Sequence, residues 1–248
     1  MTNSMLHRPL PLLSLFCFLA GAAGQQAQDQ WQWPEEPENL LHLRPENLRP
    51  VMRGFAGRLG VTCAHCHVGE EGAPLSSYDF ASDANPNKKT ARLMLQMLGD
   101  INRSLKEVEP TGERVNMWCG TCHRGRPRPM TVAEEFREAY SERGIQDAVQ
   151  HIRDLRERFY GRGAYDFSER TLNSIGYALL RQDLTEDAIT VFRLNAEYYP
   201  ESANVWDSLA EAYMQAGKPA QAVAFYQKSL QLDPTNQNAV LKLEELRR

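Results

Sequence analysis

Apolar residues in the middle of the chain recur at three- and four-residue intervals, the spacing that lines one face of an α-helix. After Pro50, Met52, Phe55, Ala56 and Leu59 form such a face, and Gly60 is placed to stop the helix. A longer stripe follows 85-NPN-87, running through Leu93, Met94, Met97, Leu98, Ile101 and Leu105. Both predicted helices carry methionine on their apolar face. The prolines of 124-RGRPRP-129 disfavour helix, and 131–161 then reads as two helices broken near Gly144.

Further on, the pattern repeats itself. Gly176 aligns with Ala210, Ala188 with Ala222, Phe192 with Tyr226 and Pro200 with Pro234, each pair 34 positions apart. Small residues where helices cross, with proline after the second helix, resemble the tetratricopeptide repeat. The copy from Ala203 is the fuller one, with Trp206, Leu209, Tyr213, Gly217, Ala222 and Pro234 in place. The expected organisation is a degenerate repeat at 131–165, repeats at about 169–202 and 203–236, and a capping helix at 237–248. Such a cap covers the last apolar face of a solenoid.

A length of 248 residues accommodates two modest domains, and the composition is that of a globular protein. The formal charge of −4, without a long single-sign run, argues against a nucleic-acid partner. Residues 1–24 read as an export signal: His7 and Arg8 precede the apolar 10-LPLLSLFCFLAGAAG-24, a run short for a membrane span. Cys17 falls inside it and leaves with it. Residues 25–37 read as a linker or extended lead-in, and 38–130 as a first domain. The expected location is periplasmic, with association at a membrane compatible with it.

The other four cysteines occupy 63-CAHCH-67 and 119-CGTCH-123. Cys-x-x-Cys-His is the attachment sequence of c-type haem: the thiols add to the porphyrin and the histidine becomes an axial ligand. Cys63 and Cys66 with His67 form one set, Cys119 and Cys122 with His123 the other. A disulfide framework does not ask for a histidine after each pair. Zinc needs four ligands, whereas two identical triplets are offered here. A redox dithiol explains neither the histidines nor the duplication. The reading is two covalently bound haem c groups.

For the sixth ligands, periodicity leaves Met52, Met94 and Met97 open, with His42 and His65 as alternatives; a methionine on an apolar helix face is also ordinary core. His65, between the attachment cysteines, reads as a solvent-facing spacer. Arg124, Arg126 and Arg128 suit charge compensation for haem propionates, or else docking of an acidic redox partner.

Several stretches resemble the cytochrome subunit of bacterial photosynthetic reaction centres: 51-VMRGFAGRLGVTCAHCHVG-69, 79-DFASD-83, 90-TARLMLQMLGDIN-102 and 118-WCGTCHRGRPRP-129. The resemblance covers roughly residues 38 to 130. It implies a methionine on the helix before each motif as sixth ligand, which places Met52 at the first haem and Met94 at the second, with Met97 as the alternative to Met94. That subunit carries four haems and this chain has two attachment motifs. A histidine placed shortly before the family's second motif is missing here, where Glu109, Pro110 and Thr111 stand.

The resulting expectation is a mainly α protein, a small dihaem c-type cytochrome domain followed by a tetratricopeptide-like solenoid. It would transfer single electrons and not act as an enzyme, since both axial positions are filled. The repeats would bind a partner protein or peptide, or a second copy of the chain, within or outside a membrane-associated electron-transfer complex. A haem-based sensor or small peroxidase with one open iron position, and a zinc-binding adaptor, are the alternatives.

Overall fold

The computed structural model describes residues 31–108 and 116–247. The expected export signal at 1–24, the start of the lead-in, and Glu109, Pro110 and Thr111 lie outside the described residues. Among the described residues the secondary structure is helical, apart from one isolated antiparallel bridge between Val68 and Asp79. No helix described is long and apolar enough to cross a membrane.

Helix α1 spans Leu48–Leu59 and ends at Gly60, whose φ of 64° is the left-handed conformation open to glycine. Helix α2 spans Pro86–Val108, and the one-turn α3 is Cys119–His123. Past the prolines a capping box starts α4, Val132–Arg143. Glu134 N–H donates to the Thr131 hydroxyl (3.2 Å), and Thr131 N–H donates to the Glu134 carboxylate (2.7 Å). Gly144 ends α4 and opens α5, Ile145–Phe159.

Paired helices follow: α6 Glu169–Leu180 with α7 Thr185–Tyr198, and α8 Ala203–Gln215 with α9 Pro219–Leu232. Helix α10, Gln237–Glu245, closes the stack. Here the small and large positions of the repeat meet as their spacing predicts. Gly176 lies against Phe192, and Ala210, Ala222 and Tyr226 are fully buried. A single apolar core runs from Val132 on α4 to Leu243 on α10.

The region before Val132 is built differently. Of its described apolar side chains only Leu48 is buried, and its centre is a cavity. A segment of this size cannot hold its shape on so little apolar contact. What would fill it is the question posed by the two cysteine motifs.

Candidate functional site

The turn at Gly60 feeds the chain directly into the first motif. Cys63–His65 is one 3-10 turn, in which the amides of Cys66 and His67 both donate to the Cys63 carbonyl (3.2 and 3.0 Å). This winding sets Cys63, Cys66 and His67 on the wall of a cavity of about 520 Å³. Met52 and Phe55 of α1 and Leu95 of α2 line the same cavity. Its size and mainly apolar wall are those of a cofactor pocket. His42 also lines it, whereas His65 stays outside, half-buried, and uses its carbonyl as a tether. Asn85 and Asn87 donate to that carbonyl (3.2 and 2.9 Å), pinning the motif to the start of α2.

The rim is ordered by aromatic and charged side chains. Trp31 packs on Phe80, and Phe80 on the His67 ring, each pair with centroids 5.0 Å apart. The lead-in from Trp31 is thus part of the cavity wall. Lys88 donates to the carbonyls of Phe80, Ala81 and Ser82, each at 2.9 Å. Arg92 pairs with Asp83 (2.8 Å) and holds its carboxyl down to about 2, with Lys88 and Asn39 adding to the effect. Burial, then the Lys88 charge, lower the His67 pKa, so the ring is neutral and able to ligate. Its Nδ1 is buried without a well-formed hydrogen bond, and the Phe80 backbone beside it compensates only weakly.

The second motif is held from two sides. Asn102 of α2 imitates a backbone strand: its amide donates to the Met117 carbonyl (2.9 Å) and its oxygen accepts from the Met117 N–H (2.7 Å). From α1, Phe55 stacks on Trp118, and the Arg58 carbonyl accepts from Gly125 N–H at 2.9 Å. Within α3, His123 is buried, with its Nδ1 2.9 Å from the Arg126 carbonyl. A carbonyl can only accept, so Nδ1 carries a proton and Nε2 is the ring nitrogen left to face a ligand. Helix α1 therefore supplies Met52 to one motif and a backing for the other.

Met94 and Met97 are placed differently from Met52. They are 37% and 47% exposed on α2, beside the 57% exposed Leu93, and Met94 shares no described cavity with Cys119, Cys122 or His123. Met52 thus lines a cavity with the first motif, whereas Met94 and Met97 lie on a partly exposed apolar face of α2.

The donor set discriminates among the chemistries that cysteine and histidine serve. Among the described residues no three His, Cys, Asp or Glu side chains converge as a metal cluster, which is not the geometry of a zinc centre. Burial pushes the Cys66 thiol up, with Cys63 adding to the shift. Burial also raises Cys119, partly offset by its own backbone and by Arg58. Nucleophilic and redox-active cysteines are shifted the other way. A large flat apolar group fits: unpaired thiols, a neutral histidine and a methionine surround a cavity that the chain leaves unfilled.

The three arginines make different contacts. Arg128 pairs with Glu138 (2.8 Å), Arg124 reaches the Gly163 carbonyl (3.4 Å), and Arg126 is buried. Asn102, Lys88 and Tyr165 had no signal of their own in the sequence. Trp31 and Trp33 did, as tryptophans in an otherwise polar lead-in.

A helical chain with duplicated Cys-x-x-Cys-His turns, one of them lining an apolar cavity together with a methionine, has the features of a c-type cytochrome. The chain belongs to the photosynthetic reaction centre cytochrome c subunit family, whose model matches residues 20–159. Residues 203–236 match the tetratricopeptide repeat. The photosynthetic reaction center cytochrome c subunit of Rubrivivax gelatinosus is 32% identical over 94 residues, 34% of this chain. Cytochrome c-554 of Chloroflexus aurantiacus is 30% identical over 109 residues, 42% of this chain. The match spans 24% of the length of each relative. Among solved structures, the first tetratricopeptide domain of Spaghetti (RPAP3), bound to an HSP90 peptide, aligns with 47% of this chain and 87% of its own. Its TM-score is 0.33 at 14% identity, too remote to bear on function.

Proposed function

We propose that the chain is an exported dihaem c-type cytochrome that carries single electrons, with its helical repeats docking a protein partner. The observation that carries this reading is the shared cavity of Met52, Cys63, Cys66 and His67. In it Cys63 and Cys66 anchor a haem through thioether bonds, His67 is the proximal ligand and Met52 the sixth. Cys119, Cys122 and His123 hold a second haem, with Met94, or Met97 beside it, as its sixth ligand. Once bound, the haem supplies a one-electron ferric–ferrous couple, and the protein supplies ligands and an apolar enclosure that excludes water. With Met52 and Met94 as sixth ligands the haems would keep no open position for substrate, and the protein would be an electron carrier and not an enzyme. Residues 38–130 form the haem domain and 131–248 the repeat domain.

The test is a spectroscopic redox titration of the exported protein with Met52→Ala and Met94→Ala alongside. Each variant is expected to lower one potential and to make one ferrous haem bind carbon monoxide. Unchanged potentials and spectra in both variants would sink the methionine assignments. Carbon monoxide binding by the wild-type protein at one haem would favour a sensor or peroxidase, a reading suggested by the exposure of Met94.

A further inference from the structure

We propose that Arg126 is a positioning residue for the second haem site and that the helical repeats hold it through Tyr165, so that this site's redox properties depend on the repeat region. The inference rests on the haem reading of 119-CGTCH-123.

Among the described residues no other arginine or lysine is buried as Arg126 is, at 6% exposure. Its backbone and its Nε engage His123. Its carbonyl accepts from His123 Nδ1–H (2.9 Å), its amide and Nε donate to the His123 carbonyl (3.0 and 3.2 Å), and its Nη1 donates to the Met130 carbonyl. The guanidinium then lies over the Tyr165 ring, 4.1 Å from the centroid, a cation–π contact.

Tyr165 comes from the turn between α5 and α6. Its hydroxyl donates to Glu135 Oε1 on α4 (2.6 Å), and Glu135 Oε2 lies 3.0 Å from His151 Nε2 on α5. Burial pushes the Tyr165 phenol up to about 12, with the Glu135 contact adding, so it stays a donor. An unbroken run of contacts therefore joins the His123 imidazole to two helices of the repeat region. Groups that orient a ligating histidine tune the metal it holds.

Arg126 forms no ion pair among the described residues. Its buried positive charge, next to His123, would favour the reduced state of a haem held there and raise its potential. A simple staple between two parts of the chain would support the fold and leave the potentials alone.

The experiment is redox titration and electron paramagnetic resonance of the full exported protein, wild type against Arg126→Gln, Arg126→Lys and Tyr165→Phe. Covalent haem is counted first by mass. In Arg126→Gln one haem is expected to fall in potential and to change its low-spin ferric signature, the other staying as it was. Arg126→Lys retains the charge and should recover most of the potential. Tyr165→Phe keeps the ring but releases Glu135, and should shift the same haem by less. Wild-type potentials and signatures in all three variants, or a change in melting temperature alone, would overturn the proposal. If Arg126→Gln does not fold, the other two variants decide it. No haem on Cys119 and Cys122 in the wild type would instead defeat the haem reading, and this proposal with it.

Discussion

Gly60 and Gly125 meet backbone to backbone. A Cβ added to Gly60 would stand 2.1 Å from the Gly125 carbonyl oxygen, and Gly60 is itself at φ 64°. The stop of α1 and the turn after the second motif are thereby in direct contact. The two motifs share this junction although 56 positions separate Cys63 from Cys119.

Gly60→Ala should accordingly be among the most damaging small substitutions in the chain. Left-handed strain costs about 1–2 kcal/mol for a residue with a Cβ, and the clash is with backbone that cannot rotate away. The total is expected to reach at least about 3 kcal/mol. Denaturant melting of the purified holoprotein checks it, and a loss below about 1 kcal/mol would show that the junction yields.

Asn102→Ala removes both hydrogen bonds to Met117 and leaves its N–H and carbonyl to find other partners. A cost of about 1–3 kcal/mol follows. Because Met117 leads into the second motif, haem occupancy at Cys119 and Cys122 should fall while that at Cys63 and Cys66 holds. Peptide mapping of the haem adducts reads the two sites separately; equal losses at both would place Asn102 in general stability.

Gly176→Ala tests the repeats alone. Its Cβ would meet the fully buried Phe192 ring at 2.5 Å. Overpacking costs about 1–3 kcal/mol, less the gain of about 1 kcal/mol for alanine over glycine in a helix. Thermal melting should report a net loss, and the haem spectrum should not change.

The helices were legible because each rests on short-range pattern: apolar spacing, Gly60 and Gly144 as stops, and a period of small and large residues that Gly176 and Phe192 satisfy directly. Both cysteine motifs were legible for a similar reason, since Cys-x-x-Cys-His places all its residues within one turn. What joins distant parts was not. Nothing in sequence ties Asn102 to Met117 or Tyr165 to Arg126, because single polar contacts across a fold leave no periodic trace. The arginine cluster was legible as charge but not as architecture: Arg126 turns inward and Arg128 finds Glu138 on α4. Trp31 reads as part of a linker or extended lead-in because its local sequence is polar, yet it packs on Phe80.

Asp83 gives a pH signature. Its carboxyl is held down to about 2 in the folded protein, below the ordinary aspartate value, so the native state binds fewer protons than the unfolded state. Its contribution is present above about pH 4 and is lost as pH falls toward 2. Asp83→Asn should lose that part of the acid dependence, seen by comparing acid melting curves of the two proteins. Identical curves would mean that Arg92 and Lys88 hold the rim without it.

On the reading proposed above, each Cys-x-x-Cys-His turn carries one haem through its two thiols. Intact mass of the exported protein tests it most directly, read beside a Cys119→Ser, Cys122→Ser double variant. The expected result is a mass excess of two haems in the wild type and one in the variant, both surviving denaturation. A wild-type protein with no covalent haem, or with one haem that the variant retains, would contradict it.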